Sequence, residues 1–375
     1  MKRRWRWRDG WYWLLALGGL GLLAWVLWRT ARSLEPRPGP ALPSAPAPVP
    51  PVPTRVAPTP PPVTVLTNLA PARPPTVTSP TLTPPLLEPT HRPVRNVLEA
   101  QIALASLGIS SGSIDGVLGF QTRAALRAYQ TEARIPVTGF LDAVTRQHLR
   151  LSASVLTTYT VTSNDIARLL PVGPTWLGKS WQPRLDFENI LELVAETSRS
   201  HPGLIRRLNP DLDWSIVTSG ASVTVPNVVP PTAAARAAAV HIHLAVKTLE
   251  AFDADTNLIA HFPCSIARLV EKRPVGMLTV VGVVHQPNYT FNPELFPESA
   301  EGRRLGRKLV LPPGPNNPVG TAWIGLDHPG YGIHGTPHPE EVGRTESHGC
   351  FRLANWDAEF LAQMVNVGTS VYIEP

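Results

Sequence analysis

Ser347-His348-Gly349-Cys350-Phe351-Arg352-Leu353, with Tyr331-Gly332-Ile333-His334-Gly335-Thr336 just upstream, places one thiol between glycines and imidazoles. A cysteine and a histidine brought together make an acyl-transfer centre: the imidazole takes the thiol proton, and the thiolate attacks a carbonyl. An ordinary thiol has a pKa of about 8.5, so about 3% of it is ionised at neutral pH. A hydrogen-bonded imidazole raises that share by stabilising the thiolate. Gly349 removes a side chain beside the nucleophile, which lets an amide carbonyl approach the backbone N–H groups that would hold its oxyanion. His334 ends an apolar strand, which fixes its ring, and it is the first choice of base. His348 joins the site as base, substrate contact or hydrogen-bonder. Arg352 either clamps a substrate carboxylate with two prongs or holds its own loop. Ser347 supports the turn.

His334, His338, His348 and Cys350 also invite a metal reading. A helical His-x-x-x-His pair would put two imidazoles on one face, but Pro337 and Pro339 around His338 forbid that helix. His241 and His243 alternate on one strand face, with no acidic residue close by in sequence. No metal and no cofactor are expected. The prolines around His338 describe a mobile covering loop that includes Glu340 and Glu341, with His338 solvated on it. Cys264, in an apolar run, reads as a buried strand residue.

Two cysteines in 375 residues are too few for a disulfide framework. The formal charge of +6 comes entirely from residues 1–32, where seven basic residues face Asp9 alone. Such a charge reports topology and excludes nucleic acid as a partner. Residues 11–28 are an uncharged apolar run, just long enough to cross a bilayer. Six of the eleven tryptophans lie within residues 5–28, near the two ends of that run. With basic residues before it and no small-x-small cleavage site after it, the run predicts an uncleaved inner-membrane anchor. The remainder would be exported to the periplasm or cell wall. Residues 33–93 hold 21 of the 43 prolines and form a linker of extended polyproline character, reaching on the order of 180 Å.

Residues 94–151 change character. Apolar positions at helical spacing over 97–104 end at Gly108, a turn follows at Ile114-Asp115-Gly116, and residues 122–130 and 142–149 read as two more helices. Residues 155–228 read as strand, helix, helix, strand, interrupted over 169–186 by two tryptophans and several prolines. Beyond an Ala-rich joint at 232–239, short apolar runs broken by turns predict a largely antiparallel sheet structure. Residues 291–308, rich in charge, read as an inserted surface loop. Asn355 is placed to cap a helix over about 356–365, and Gly368 stops it before a last strand at 370–373.

The paired motif, His-Gly-Thr at a strand end and then Ser-His-Gly-Cys-apolar-Arg, resembles the signature of the L,D-transpeptidase family with the YkuD-type catalytic domain. The resemblance implies a mainly-β fold over 237–375, a β-sandwich with a flanking helix. It implies Cys350 as nucleophile and His334 as base, with the Gly335 carbonyl orienting the imidazole. Gly349, Gly335, His348 and Ser347 would then support the oxyanion and the turn, and Arg352, Tyr331 and Thr336 would meet the substrate. The Asp-Gly turn, the Thr-x-x-Ala and Tyr-Gln of the middle helix and Pro-Val-Thr-Gly resemble a three-helix peptidoglycan-binding domain over 94–151. Residues 155–228 are similar to LysM, a small α/β glycan-binding module. Together these imply a membrane-anchored enzyme whose partners are peptidoglycan stem peptides and glycan strands. Cys350 would release D-Ala from a tetrapeptide stem and pass the acyl group to a diaminopimelate amine. A carboxypeptidase or wall hydrolase using water, and a non-catalytic wall anchor, are the alternatives.

Overall fold

The computed structural model describes residues 91–347 and 349–375. The basic tail, the apolar run at 11–28 and the linker up to residue 90 lie outside them, as does His348. Among the described residues no helix is long and apolar enough to cross a membrane. This corrects the expected single-pass placement in the inner membrane: the apolar run proposed to carry it lies outside the described residues, and nothing within them supports it.

Residues 91–151 pair strand β1 (Arg92–Pro93) with β2 (Arg150–Leu151) and enclose helices α1 (Val97–Ser106), α2 (Phe120–Glu132) and α3 (Ala143–His148). Asn96 caps α1 and Asp142 caps α3, each accepting a backbone N–H from the third residue on. Two buried glutamines hold the turns. The Gln101 carbonyl accepts the Gly116 N–H at 2.7 Å, and the Gln130 carbonyl accepts those of Thr138 and Gly139 at 2.9 and 2.8 Å. Gly116, at φ +76°, turns where a side chain would be strained.

Residues 155–228 pair β3 (Leu156–Thr160) antiparallel with β4 (Ser222–Pro226). Four helices lie between them rather than two: α4 (Ser163–Arg168), α5 (Trp176–Trp181), α6 (Ile190–Thr197) and α7 (Pro202–Leu208). The additional helix in the interruption, α5, has its own cap in Thr175, as α4 has in Thr162.

The C-terminal part holds β5 (Ala239–His243), β6 (Thr248–Phe252), β7 (Leu258–Pro263), β8 (Gly276–His285), β9 (Tyr289–Phe291), α8 (Ala300–Leu305), β10 (Leu309–Leu311), β11 (Ala322–Leu326), β12 (Gly332–His334), β13 (Phe351–Arg352), α9 (Asn355–Met364) and β14 (Ser370–Glu374). Eight strands form one sheet of order β13-β12-β11-β8-β14-β5-β6-β7. The ten-residue β8 pairs with both β11 and β14, so what the sequence predicts as a sandwich is continuous through that strand. The sheet also closes: Ser265, just past β7, exchanges two 2.9 Å backbone hydrogen bonds with Arg352 on β13. Val240, Ile242, Phe262, Ile324, Ile333 and Phe351 share one core with Leu361 and Met364 of α9.

Residues 291–308 lie largely at the surface, as expected of an insertion, but they carry secondary structure and an apolar anchor. β9 and β10 pair antiparallel, and Phe291, Leu309 and Leu311 bury themselves around Leu185. Trp176 of α5 stacks on Phe291 with centroids 4.3 Å apart, and Glu301 accepts the Trp176 and Leu177 N–H groups at 2.9 Å each. Each strand is only three residues long, which is why charge hid them. The three parts also share backbone edges. Gly108 and Ser110 bond the backbone of His261, and Ile114 bonds those of Arg199 and His201.

Candidate active site

β12 and β13 run parallel, with Ile333 beside Phe351 and His334 beside Arg352. Ile333 and Phe351 are buried in the core, so alternation turns Gly332, His334, Cys350 and Arg352 to the opposite face. Cys350, one residue before β13, thus falls on the same side of the pair as His334, the thiol bonded to the Gly330 carbonyl and the imidazole to the Gly335 carbonyl. Gly332 is required beneath them: a Cβ there would stand 2.6 Å from the Trp323 ring. Trp323, on β11, also stacks on the His334 ring with centroids 5.5 Å apart. The Cys350 thiol donates to the Gly330 carbonyl at 3.3 Å, and the Gly332 N–H donates to the sulfur.

His334 is buried, with Nδ1 2.6 Å from the Gly335 carbonyl oxygen. That contact fixes Nδ1 as the protonated nitrogen and leaves Nε2 as the basic one. Burial pushes the imidazole down to about 4, although the Gly335 carbonyl works the other way. Burial pushes the Cys350 thiol up, opposed by the Gly332 N–H and the Arg352 charge. In both groups desolvation outweighs the partners present in this structure and favours the uncharged form. Cys264 is fully buried, its thiol pushed to about 12 by burial, and both cysteines are free. Tyr289 is likewise pushed to about 12, by burial and then by the Cys350 charge, which puts its hydroxyl in the field of the thiol.

Ser347 is buried; its hydroxyl donates to the Cys350 carbonyl and accepts the Gly349 N–H at 3.3 Å. Gly349 is open on its side-chain face, with nothing closer to a Cβ than the Tyr331 ring at 4.0 Å. Arg352 donates to the Glu346 carbonyl and so holds the loop before Cys350. Tyr331 stacks on His328 at 4.4 Å and donates its hydroxyl to the Lys272 carbonyl at 3.1 Å. Thr336, expected at the substrate, is 3% exposed, and its hydroxyl accepts the His338 N–H at 3.3 Å. The covering loop is pinned rather than loose. Residues 339–341 form a 3₁₀ turn, Val342 is buried, and Gln121 of α2 donates to the Val342 carbonyl at 2.5 Å.

Sequence reasoning missed two residues here. Trp323 was legible only as one of several strand positions, although it alternates with buried Ala322, Ile324 and Leu326 and so faces the site. Asn355 reads as a helix cap, but the N-cap is Ala354, and the Asn355 side chain turns back to the site. Its carbonyl oxygen accepts the Thr336 and Thr321 N–H groups at 2.9 and 3.3 Å. Among the described residues no three His, Cys, Asp or Glu side chains are placed to hold a metal. His241 and His243 instead meet Glu374, and His243 and His261 meet Glu250, carboxylates brought from neighbouring strands.

Residues 237–373 match the L,D-transpeptidase catalytic domain, YkuD, and residues 94–149 match a peptidoglycan binding domain. The chain is 28% identical over 185 residues to L,D-transpeptidase YkuD of Bacillus licheniformis, covering 49% of this chain and 93% of that one. It is 30% identical over 210 residues to L,D-transpeptidase ErfK/SrfK of Escherichia coli, covering 55% of this chain and 66% of the relative. L,D-transpeptidase 3 from Mycobacterium tuberculosis overlays with 17% identity and a TM-score of 0.30, over 43% of this chain and 77% of that one. The chain thus carries a YkuD-type catalytic domain behind a peptidoglycan-binding domain, and it is an enzyme of the L,D-transpeptidase family.

Proposed function

We propose that Cys350 and His334 carry a two-step acyl transfer on peptidoglycan stem peptides, in a catalytic part spanning 237–375. The observation behind this reading is the placement of both side chains on one face of the β12–β13 pair, beside a glycine that leaves room above them. Nε2 of His334 removes the thiol proton as Cys350 attacks the carbonyl on the L-centre of diaminopimelate. The proton passes to the leaving amine, D-Ala departs, and a thioester remains. A diaminopimelate side-chain amine from a second stem then attacks the thioester, gives its proton to His334 and releases the thiol. The bond energy of the first amide is kept in the thioester, so the cross-link needs no nucleotide. A low imidazole pKa keeps the base unprotonated, and the thiolate forms only as the carbonyl arrives. Gly349 leaves the approach open, and backbone N–H groups around Gly349–Cys350 would hold the oxyanion. His348, outside the described residues, is proposed as a further contact in this site.

Residues 94–151 would hold glycan strands and raise the local substrate concentration. We read residues 155–228 as the LysM-like module, docked against the catalytic part through α5 and α6. The test is digestion of defined muropeptides with the full chain, followed by mass spectrometry. Release of D-Ala with dimer formation is expected. D-Ala without dimers would transfer the reading to a carboxypeptidase, and a fully active Cys350→Ala variant would remove both.

A further inference from the structure

The imidazole is oriented by a carbonyl whose own position depends on a residue outside the catalytic domain. Gly335 carries the oxygen that His334 Nδ1 meets at 2.6 Å. The peptide after it is held by Asn355, 1% exposed, whose Oδ1 accepts the Thr336 N–H at 2.9 Å. Asn355 has no slack. A Cβ on Gly335 would lie 2.1 Å from its Oδ1, and one on Gly320 would lie 2.0 Å from it. Two N–H donors fix which side of the amide carries the oxygen, and the NH₂ must then find acceptors on the other side. It finds the Pro315 carbonyl at 3.2 Å and the Glu196 carboxylate at 2.9 Å. Glu196 sits on α6, in residues 155–228 and outside the span 237–373 that matches the catalytic domain.

We propose that Glu196 is a positioning residue for the reaction: through Asn355 it fixes the Gly335–Thr336 turn, and through that turn it sets the orientation of the His334 ring. The inference rests on Cys350 and His334 as nucleophile and base. It gives residues 155–228 a role inside the active site, whatever they bind elsewhere. Without the carboxyl group, a buried N–H of Asn355 is orphaned. The amide then has reason to turn, and the imidazole loses the fixed geometry that proton transfer needs. Burial pushes the Glu196 carboxyl up to about 8, so near neutrality it is largely protonated and still accepts through its carbonyl oxygen. A glutamine supplies the same oxygen at the same length.

The experiment uses the full chain as wild type, Glu196→Ala, Glu196→Gln and Glu192→Ala. Glu192 lies one turn away on α6 and accepts from Asn316 at 2.6 Å, so its loss loosens the same docking surface without touching Asn355. Two readouts are taken: steady-state release of D-Ala from a tetrapeptide muropeptide, and the rate of Cys350 alkylation by iodoacetamide from pH 5 to 10. Glu196→Ala should lower kcat about tenfold with KM unchanged, and should shift the alkylation profile. Glu196→Gln should restore both, and Glu192→Ala should change neither. If Glu196→Ala does not fold, Glu196→Asp, one methylene too short to reach Asn355, is judged by the same criteria. A kcat within twofold of wild type in Glu196→Ala, or an equal loss in Glu192→Ala, overturns the proposal. If even the wild type releases no D-Ala, the reaction reading fails, and the alkylation profiles decide the positioning role alone.

Discussion

Replacing Gly335 by alanine adds one methyl group at the tightest point of the site. The new Cβ would stand 2.1 Å from Asn355 Oδ1 and 3.2 Å from Gly320 Cα, where ordinary contact begins at 3.4 Å. More than 1 Å must therefore be found. Asn355 cannot supply it by backing away, because Gly320 closes the other side of the same oxygen. The turn has to move instead, and it carries the carbonyl that orients His334. Overpacking of this kind costs about 1–3 kcal/mol of stability, which a domain of this size survives. A displacement of 1 Å at the base costs on the order of a hundredfold in rate. Gly335→Ala should therefore fold, unfold thermally a few degrees earlier, and show kcat for D-Ala release reduced about a hundredfold with KM little changed. A folded Gly335→Ala enzyme with wild-type kcat would refute the argument that this turn positions the imidazole.

Three further outcomes follow from the geometry. Iodoacetamide should alkylate Cys350 more slowly at pH 7 than it does a free thiol, with a rate still climbing above pH 9, because burial pushes the thiol up; a plateau between pH 6 and 7 would show a resting ion pair with His334. Burial would raise the Glu250 carboxyl, but hydrogen bonds from His243 and His261 outweigh it and hold the group at about 2. The stability this confers is present above the ordinary carboxylate pKa of about 4.5 and lost as pH falls toward 2, on the order of 2 kcal/mol; urea midpoints at pH 6 and pH 3 should converge in Glu250→Gln and differ in the wild type. Trp176→Ala removes the ring stacked on Phe291 and should expose residues 296–308 to limited proteolysis while leaving β5–β7 protected; an unchanged cleavage pattern would show that the β9–β10 insertion stands alone.

The two halves of the site lie within about twenty residues of each other, each marked by glycines whose purpose is local, which is why Cys350 and His334 could be chosen from sequence. Helices fared the same way where apolar residues recur at helical spacing, as over 97–104, whereas a cap alone did not reveal the short α5. The β9–β10 strands escaped notice because three residues carry too short a period to stand out among charges. The helix over 176–181 was hidden by its tryptophans and prolines, since its reason for folding is the Phe291 ring it covers and not its own pattern.

Residue types and spacing determined that this chain holds a thiol and an imidazole at matched strand ends, and which family that pairing belongs to. Only the closed sheet decided that burial favours the uncharged form of both, because desolvation depends on what packs over a group and not on its sequence neighbours. The same is true of Asn355 and Glu196, which stand 159 positions apart and meet at 2.9 Å. A hydrogen bond across that separation leaves no periodic trace in the chain, and packing alone brings the two together.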